Sequence, residues 1–405
     1  MLDSKIDELR NFSIKILSDL ISFPTVNPPG ESYREISEYL SNLLSEIGFY
    51  VEVVQAPDSI VKDPDHPRYN VIARMGSGRP VLHFNGHYDV VPAGSGWKMD
   101  PFKPFVAGGL VYGRGASDMK GGMAAIITAA KALADSNARF GGTLELSFTP
   151  DEETGGEAGV AYIVEKGMVK PDFAVVAEPS GVDNIWIGNK GTAWLMVEVY
   201  GKQAHGSTPW RGVNAFEAMV HVADRMLREL KPIVEEKKSR YDYGDPRGAR
   251  ATLMLGGEVR GGAKVNIVPG YCSFTIDRRV LPEESSEEAA REIEDFVNRI
   301  KIPDVDLRVK RLSVQDASVV DPELEIVKVA VRSAEDVLGI KPRRTVCMGG
   351  LDTRFFQRKG IQAITYGPGI SEVAHMADEY VRVDDILSMA KIYCRMASSL
   401  IGVYL

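Results

Sequence analysis

The sequence predicts an α/β protein: a mixed sheet covered by helices, interrupted by a smaller inserted domain with a ferredoxin-like order of elements. Three observations support this prediction. The chain has 405 residues, and a chain of that length is expected to form two domains. Short apolar strands alternate with helical patterns before residue 185 and again after residue 316. Between them, the elements follow the order β-α-β-β-α-β, which is typical of a ferredoxin-like unit.

The elements of the first domain begin with two amphipathic helices, over residues 4–22 and 36–47, because apolar residues recur there at helical spacing. Gly48 ends the second helix. Further helices are predicted at 122–133 and 157–167. The predicted strands are 50–54, 70–75, 80–85, 143–149 and 173–177.

The pattern changes around residue 185. The predicted order is strand 190–201, helix 212–231, strands 251–257 and 271–279, helix 283–301 and strand 305–312. We therefore expect a discontinuous first domain at 1–184 and 317–405. The inserted domain is expected at 185–316.

The composition excludes several classes of function. The formal net charge is −8 and the basic residues are dispersed, so we expect no nucleic-acid or membrane partner. No apolar run approaches the roughly 20 residues that span a bilayer, and the amino terminus lacks a secretory pattern. The 3 cysteines are widely spaced without a C-x-x-C motif, which is typical of reduced thiols. We expect a cytoplasmic protein.

Residues of the types that bind metals recur at the ends of the predicted strands. Ligands of open α/β sheets gather at the carboxyl ends of the strands, so we expect these side chains to share one crevice. Asp118 lies in a glycine-punctuated loop, and the acidic pair at 152–153 directly follows a strand. The residues are His87, Asp89, Asp118, Glu152, Glu153, Glu178 and His375.

This set of side chains predicts a particular chemistry. Nitrogen and oxygen ligands without cysteine suit zinc, with cobalt or manganese as alternatives. Two histidines and three carboxylates can hold two divalent ions, with one carboxylate bridging them. Asp89 is two residues from His87 in an extended segment, where it could orient the imidazole. Glu152 is then left over, and we expect it to be the general base.

Each signal also has a simpler interpretation. The His87–Asp89 pair could be an ordinary hydrogen-bonded pair, the acidic triplet 151–153 a solvated surface, and His375 a core residue. Five such signals in order, each at a predicted strand end, favour the metal site.

Several motifs resemble those of a known family. The stretches are Ile21–Gly30, Gly86-His87-Tyr88-Asp89-Val90-Val91-Pro92, residues 113–122, Asp151-Glu152-Glu153, Glu178-Pro179-Ser180, Ala204-His205-Gly206-Ser207 and Ala374-His375. They resemble the dinuclear-zinc metallopeptidase and deacylase family of acetylornithine deacetylase, succinyl-diaminopimelate desuccinylase, aminoacylase and glutamate carboxypeptidase. The resemblance implies a zinc-peptidase-like catalytic domain with a mixed sheet, and an inserted lid domain that commonly forms a homodimer.

The resemblance also implies a role for each residue of the site. Asp118 would bridge two metal ions. His87 and Glu178 would complete the ligands of one ion, and Glu153 and His375 those of the other. Asp89 would orient His87. Glu152 would act first as base and then as acid.

Residues of the lid are implied to act on the substrate. His205 would reach the active site of the partner subunit and stabilise the oxyanion. Asn266 and Arg279 match positions that grip the substrate carboxylate, for which the bidentate fork of arginine is suited. Gly350 is also expected at the substrate. His205, Asn266 and Arg279 could instead be surface or strand-pairing residues of the lid.

The expected function is metal-dependent hydrolysis of the amide bond of an N-acyl amino acid. Strict desuccinylases have a stretch similar to Gly-Gly-Thr-Ser-Asp, with a hydroxyl that meets the substrate, where this chain has Gly349-Gly350-Leu351-Asp352. Leu351 cannot donate a hydrogen bond, which argues against succinyl-diaminopimelate as the substrate. The alternative is a metallocarboxypeptidase or dipeptidase acting on peptides with a free C-terminal carboxylate. A further alternative is a non-catalytic binding protein on the same fold. A serine or cysteine hydrolase is disfavoured because no Gly-x-Ser-x-Gly motif is present.

Overall fold

A computed structural model describes residues 2–61 and 63–405. Within these residues the chain forms two compact units. The larger unit contains the chain up to Ile187 together with Val320–Arg344 and Leu351–Leu405. The smaller unit contains Gly188–Val319 and Thr345–Gly350. The larger unit is therefore discontinuous, and a short segment near residue 347 returns to the smaller unit.

The larger unit is built on a mixed sheet. From one edge inward, its strands lie in the order Tyr50–Gln55, Tyr69–Gly76, Thr143–Thr149, Val81–His87, Phe173–Val176, Gln362–Thr365 and Asn184–Asn189. Four adjacent strands, from Thr143–Thr149 to Gln362–Thr365, are parallel to one another. Their carboxyl ends therefore meet at one edge of the sheet. The mixed α/β class predicted from the sequence is confirmed.

Helices pack against this sheet. Tyr33–Ile47 shows why they form: its apolar residues recur every three or four positions and are buried, and Gly48 ends it at a φ of 108°. Gly121–Asp135 is buried along most of its length and contacts Val383–Ile401. The helices of this unit are Leu2–Glu8, Arg10–Ser22, Tyr33–Ile47, Gly121–Asp135, Val160–Glu165, Glu325–Leu338, Thr353–Arg358 and Val383–Ile401.

Short elements complete the larger unit. One-turn helices or π-type turns lie at Asp58–Ile60, Ala116–Lys120, Glu152–Thr154 and Ser371–Val373. A three-stranded sheet is formed by Tyr380–Arg382, Leu110–Tyr112 and Phe105–Ala107, and a two-stranded one by Arg139–Phe140 and Val403–Tyr404.

The smaller unit has the predicted β-α-β-β-α-β order. Its antiparallel strands lie across the sheet as Thr252–Gly261, Tyr271–Val280, Gly191–Tyr200 and Asp306–Gln315. The helices are Ala215–Arg225, which continues through Met226–Leu230 into Lys231–Glu236, and Ser286–Arg299. They share a buried core with one face of the sheet, formed by residues such as Leu195, Val197, Val222, Phe274 and Ile293.

The remaining strands are short. Ala204–His205 pairs with Ile267–Val268 in the smaller unit. The boundary between the units falls within two strands, Asn184–Asn189 and Arg343–Cys347. Ser318–Val319 pairs with Gly188 and Asn189, at the end of the first of these strands. None of the helices in the described part of the chain has the length and apolar character needed to cross a membrane.

Several predicted bounds differ from the structure: the helix expected over 157–167 is limited to Val160–Glu165, and the one expected over 212–231 runs from Ala215 to Glu236. The helix expected over 4–22 is divided at Leu9 into Leu2–Glu8 and Arg10–Ser22. The spacing of apolar residues predicted which face is buried. It could not reveal the division, because an interruption of one residue leaves that spacing almost unchanged. The strand expected over 80–85 extends to His87, which is therefore its last residue.

Candidate metal centre

The candidate site lies where the four parallel strands of the larger unit end. His87 is the last residue of Val81–His87. The turn Glu152–Thr154 follows Thr143–Thr149, and Glu178 follows Phe173–Val176. His375 comes after Gln362–Thr365 and the short turn Ser371–Val373.

Asp118 lies between the two histidines. Its Oδ1 is 3.1 Å from Nε2 of His87, and its Oδ2 is 3.2 Å from Nε2 of His375. The same nitrogen of His375 is 3.2 Å from Oε2 of Glu153. Each carboxylate oxygen of Asp118 therefore faces a different imidazole, which is the geometry a bridging ligand needs.

Glu178 and Glu152 also lie near His87. Oε1 of Glu178 is 3.5 Å from Nε2 of His87. One ligand atom from each of His87, Glu152 and Glu178 lies within 4.8 Å of the others, and the same holds for His87, Asp118 and Glu153. The structure thus brings together all five side chains predicted as metal ligands, with Glu152 beside them.

The electrostatics of this cluster favour positive charge at its centre. Hydrogen bonds to Asp118 and Glu153 raise the pKa of His375 to about 10, although partial burial opposes them. Burial raises the pKa of Asp118, but the two histidines outweigh it and hold that pKa below its usual range. Burial, opposed by His87, raises the pKa of Glu178 to about 8. Several acids crowded in a buried place attract either protons or a cation.

The donor set fits divalent metal ions. In the described part of the chain, Oε1 of Glu153 and Oε1 of Glu178 are buried side-chain atoms without a hydrogen-bond partner. A buried carboxylate oxygen without a partner costs free energy unless another group satisfies it. Imidazole nitrogens and carboxylate oxygens are ligands that zinc and related ions accept. A pair of such ions would satisfy these atoms.

Asp89 contacts His87 in a way that the sequence only partly predicted. Nδ1 of His87 is 2.9 Å from the main-chain carbonyl oxygen of Asp89, and 3.4 Å from its carboxylate. Because the carbonyl can only accept, Nδ1 carries the proton and Nε2 faces the site. The carboxylate of Asp89 also accepts from the main-chain N–H groups of Glu152 and Glu153, each at 3.2 Å.

Asn27 and Asp151 support this arrangement, and neither was predicted. The side-chain amide of Asn27 donates to both Asp89 and Asp151, each at 3.0 Å. Nε of Arg68 donates to Asp151 at 2.8 Å in a buried ion pair. Both residues lie within motifs that carry the family resemblance, and this was the only indication available from the sequence. Their contacts could not be predicted because they join segments that are distant in the sequence.

His205, predicted to stabilise the oxyanion, and the predicted substrate-binding residues belong to the smaller unit. His205 is exposed, and its Nδ1 lies 3.1 Å from the main-chain nitrogen of Ser207. Asn266 lies beside it, since its carbonyl accepts from Gly206 N at 2.8 Å. Arg279 pairs with Asp277 at 2.9 Å on the central strand Tyr271–Val280.

Gly350 is the last residue of the segment Thr345–Gly350 and is exposed. It belongs to the smaller unit, as His205, Asn266 and Arg279 do, whereas the metal-ligand candidates belong to the larger one.

An α/β sheet that gathers two histidines and several acids at the carboxyl ends of its parallel strands is an arrangement suited to a metal-dependent enzyme. Comparison with known proteins identifies which class of metal-dependent enzyme it is. Residues 83–399 match the profile of Peptidase family M20/M25/M40. The chain belongs to that family, and is a metallohydrolase that acts on amide or peptide C–N bonds. The family and the enzyme class expected from the sequence are confirmed.

Individual relatives cover nearly the whole chain. An uncharacterised metallohydrolase of Methanocaldococcus jannaschii is 28% identical, covering 94% of this chain and 97% of its own length. A probable succinyl-diaminopimelate desuccinylase of Staphylococcus epidermidis is 29% identical, covering 94% and 95%.

Solved structures share the fold. Human carnosine dipeptidase 1 aligns with a TM-score of 0.79 at 18% identity, covering 98% of both chains. The M20 family metallo-carboxypeptidase Sso-CP2 of Sulfolobus solfataricus aligns with a TM-score of 0.78 at 21% identity, covering 95% of this chain and 98% of that one. At these identities the likeness establishes the fold.

Proposed function

We propose that this enzyme hydrolyses the amide bond of an N-acyl amino acid, next to the free carboxylate of the substrate. The observation that carries the proposal is the position of Asp118: its two carboxylate oxygens lie 3.1 Å from Nε2 of His87 and 3.2 Å from Nε2 of His375. Glu152 lies beside this cluster without being needed as one of its ligands.

Five residues would hold two divalent ions, with zinc as the proposed metal and cobalt or manganese as alternatives. His87 and Glu178 would hold one ion, His375 and Glu153 the other, and Asp118 both. Such ions polarise the scissile carbonyl and lower the pKa of water when they are bound. Asp89 keeps the imidazole of His87 in one tautomer by accepting from Nδ1 at its main-chain carbonyl.

Glu152 is the proposed general base. In the metal-free protein, burial and the neighbouring carboxylates of Glu178 and Asp352 raise the pKa of Glu152 well above its usual value. Bound cations would favour its ionised form, which can accept a proton. Its main-chain nitrogen donates to Asp89 at 3.2 Å, so the turn that carries it is fixed. Glu152 takes a proton from the attacking water and then returns it to the leaving amine.

His205 is the proposed donor to the oxyanion, acting in the active site of a partner subunit. The Ser207 N–H donates to Nδ1 of His205, so in the neutral ring Nε2 carries the proton. The exposed edge of His205 therefore presents an N–H donor, the group that an oxyanion requires. Asn266 and Arg279 would bind the substrate carboxylate, and Gly350 would line the same place.

A homodimer formed through the smaller unit is part of the proposal. The helix that starts at Ala215 exposes three large apolar side chains at helical spacing: Phe216, Val220 and Leu227, which are 52%, 49% and 47% exposed. An exposed apolar stripe on a helix marks a contact surface. The proposed location is the cytoplasm, which cell fractionation would test.

Peptide hydrolysis is the second candidate function, as a carboxypeptidase or dipeptidase. Leu351 favours it over hydrolysis of succinyl-diaminopimelate, because this buried apolar side chain offers no hydrogen bond to a succinyl group. The similar folds of a carnosine dipeptidase and a metallo-carboxypeptidase support it as well.

A substrate panel tests the proposal. N-acetyl and N-succinyl amino acids are assayed beside free dipeptides and dipeptides with a blocked amino or carboxyl terminus, each with zinc, cobalt or manganese. We expect turnover of N-acyl amino acids with a free carboxylate and none after that carboxylate is esterified. Turnover restricted to dipeptides supports the second candidate. No turnover of any amide with any of the three metals contradicts both.

A further inference from the structure

A buried carboxylate outside the proposed ligand set holds the loop that presents Asp118. Glu379 is fully buried. Its Oε1 accepts from the main-chain N–H groups of Ser117 at 2.9 Å and Asp118 at 3.0 Å. Its Oε2 accepts from Gly115 N at 3.1 Å and from the side chain of Arg114 at 2.7 Å. Four donors therefore converge on one carboxylate.

Arg114 extends these contacts to the loop that carries His375. Its Nη1 donates to the carbonyl oxygen of Met376 at 3.1 Å, and its Nη2 to that of His375 at 3.3 Å. Nη2 also donates to the carbonyl of Ala93 at 3.0 Å. The side chain of Arg114 is only 2% exposed. The planar fork of arginine suits several acceptors at once, which a lysine ammonium cannot match in this geometry.

The pair thus joins two loops that are distant in sequence. The carboxylate fixes the main chain up to the nitrogen of Asp118, and the guanidinium fixes the carbonyl of His375. His375 itself has a φ of 62°, an unusual conformation for a residue other than glycine. Surrounding contacts must therefore hold it, and those made by Arg114 reach its own carbonyl.

We infer that Arg114 and Glu379 are positioning residues that keep Asp118 and His375 at the separation a metal ion needs. This inference rests on the proposed metal site. Hydrogen bonds to groups that bear ligands tune metal affinity, and their loss commonly lowers it about 10–100-fold. A merely structural ion pair would change the stability of the fold and leave metal affinity unchanged.

The chain offers a matched control in the smaller unit. Arg278 and Glu284 form a second ion pair, with Nη2 of Arg278 2.6 Å from Oε1 of Glu284; Arg278 is fully buried and Glu284 is partly buried. Glu284 also accepts from a main-chain nitrogen, that of Leu281, at 3.0 Å. Glu284→Gln therefore removes the same charge from an arginine–carboxylate pair that also fixes a main-chain nitrogen, without touching the proposed metal ligands.

The experiment compares zinc affinity, by competition with a chromogenic chelator, and thermal unfolding of the metal-free proteins. In Glu379→Gln the amide NH₂ would face donors that now meet a carboxylate oxygen. We expect zinc affinity to fall about 10–100-fold in Glu379→Gln and to be unchanged in Glu284→Gln. Arg114→Lys keeps the charge and is expected to weaken zinc binding less, which provides a second variant should Glu379→Gln not fold.

The outcomes separate the two proposals. If the wild type binds zinc and both Glu379→Gln and Arg114→Lys bind it equally well, this inference is overturned and the proposed function stands. An equal loss of affinity in Glu284→Gln also overturns it, because the effect would then be a general one. A wild-type protein that binds no divalent ion overturns the proposed function and this inference together.

Discussion

Nε2 of His375 lies 3.2 Å from Oδ2 of Asp118, although the two residues are far apart in the sequence. The imidazole also faces Glu153 at 3.2 Å. In the metal-free protein this place is filled by a proton, because the two carboxylates raise the pKa of His375 to about 10. A metal ion and a proton therefore compete for the same nitrogen.

This competition predicts a pH dependence of metal binding. At pH 7 the imidazole of His375 is protonated in the metal-free protein, since its pKa lies well above that pH. An imidazole that binds a metal through Nε2 carries no proton on that nitrogen. Binding of zinc should therefore release protons, and the apparent zinc affinity should rise as pH increases toward the pKa.

Isothermal titration in two buffers with different ionisation enthalpies measures the number of protons released. We expect fewer protons to be released by His375→Asn than by the wild type. An identical heat of binding in both buffers at pH 7 would contradict the prediction.

Glu152→Gln tests the base. The substitution is nearly isosteric but removes the proton acceptor, so kcat should fall about 10²–10⁴-fold. Metal content should stay at the wild-type value, because the five proposed ligands are intact. Loss of an ion together with activity would instead make Glu152 a ligand, which its proximity to His87 and Glu178 also allows.

His205 acts in trans if the proposed dimer is correct. His205→Ala should lower kcat about 10²–10³-fold and leave metal content unchanged. Co-expressed with Glu152→Gln, it should form mixed dimers in which one active site combines an intact Glu152 with an intact His205. Recovery of activity in mixed dimers supports action across the interface. A mixture no more active than its two components argues against it.

Gly156 adjoins the acidic turn Glu152–Thr154, and its substitution should disturb that turn. A Cβ on Gly156 would lie 2.5 Å from Oδ1 of Asp352 and 2.9 Å from the ring of Phe355, at a φ of +81°. Gly78 has the same φ but nothing within 4 Å.

Because Gly78→Ala carries the backbone strain without the clash, Gly156→Ala should be less stable than Gly78→Ala by about 1–3 kcal/mol. It should also lower kcat. Urea denaturation of both variants measures the difference in the free energy of unfolding. Equal stabilities would show that the neighbours of Gly156 move aside without cost.

Much of the fold could be predicted because it depends on periodic patterns. The spacing of apolar residues predicted Tyr33–Ile47, and the order of elements predicted the ferredoxin-like sheet around Tyr271–Val280. Short strands such as Phe105–Ala107 and Tyr380–Arg382 were not predicted. Three residues are too few for a pattern. Phe105–Ala107 is a strand because it pairs with the adjacent Leu110–Tyr112, and Tyr380–Arg382 because it pairs with that same strand from far along the chain.

The candidate site likewise has residues that could be predicted from the sequence and contacts that could not. His87 and Glu178 were predicted because a motif and a strand end coincide in the sequence. The contacts of Glu379 with the main chain at Asp118 could not be predicted, since they depend on two loops meeting in space. The same is true of the bond from Asn27 to Asp151.

Metal stoichiometry tests the central claim most directly. The protein is dialysed against a chelator, reconstituted with zinc and freed of excess metal, and bound zinc is then measured per chain. We predict two ions in the wild type, and fewer than two in Asp118→Asn, which has a single side-chain oxygen to offer. No stoichiometric zinc in the wild type, or two ions retained by Asp118→Asn, would contradict a paired site bridged by Asp118.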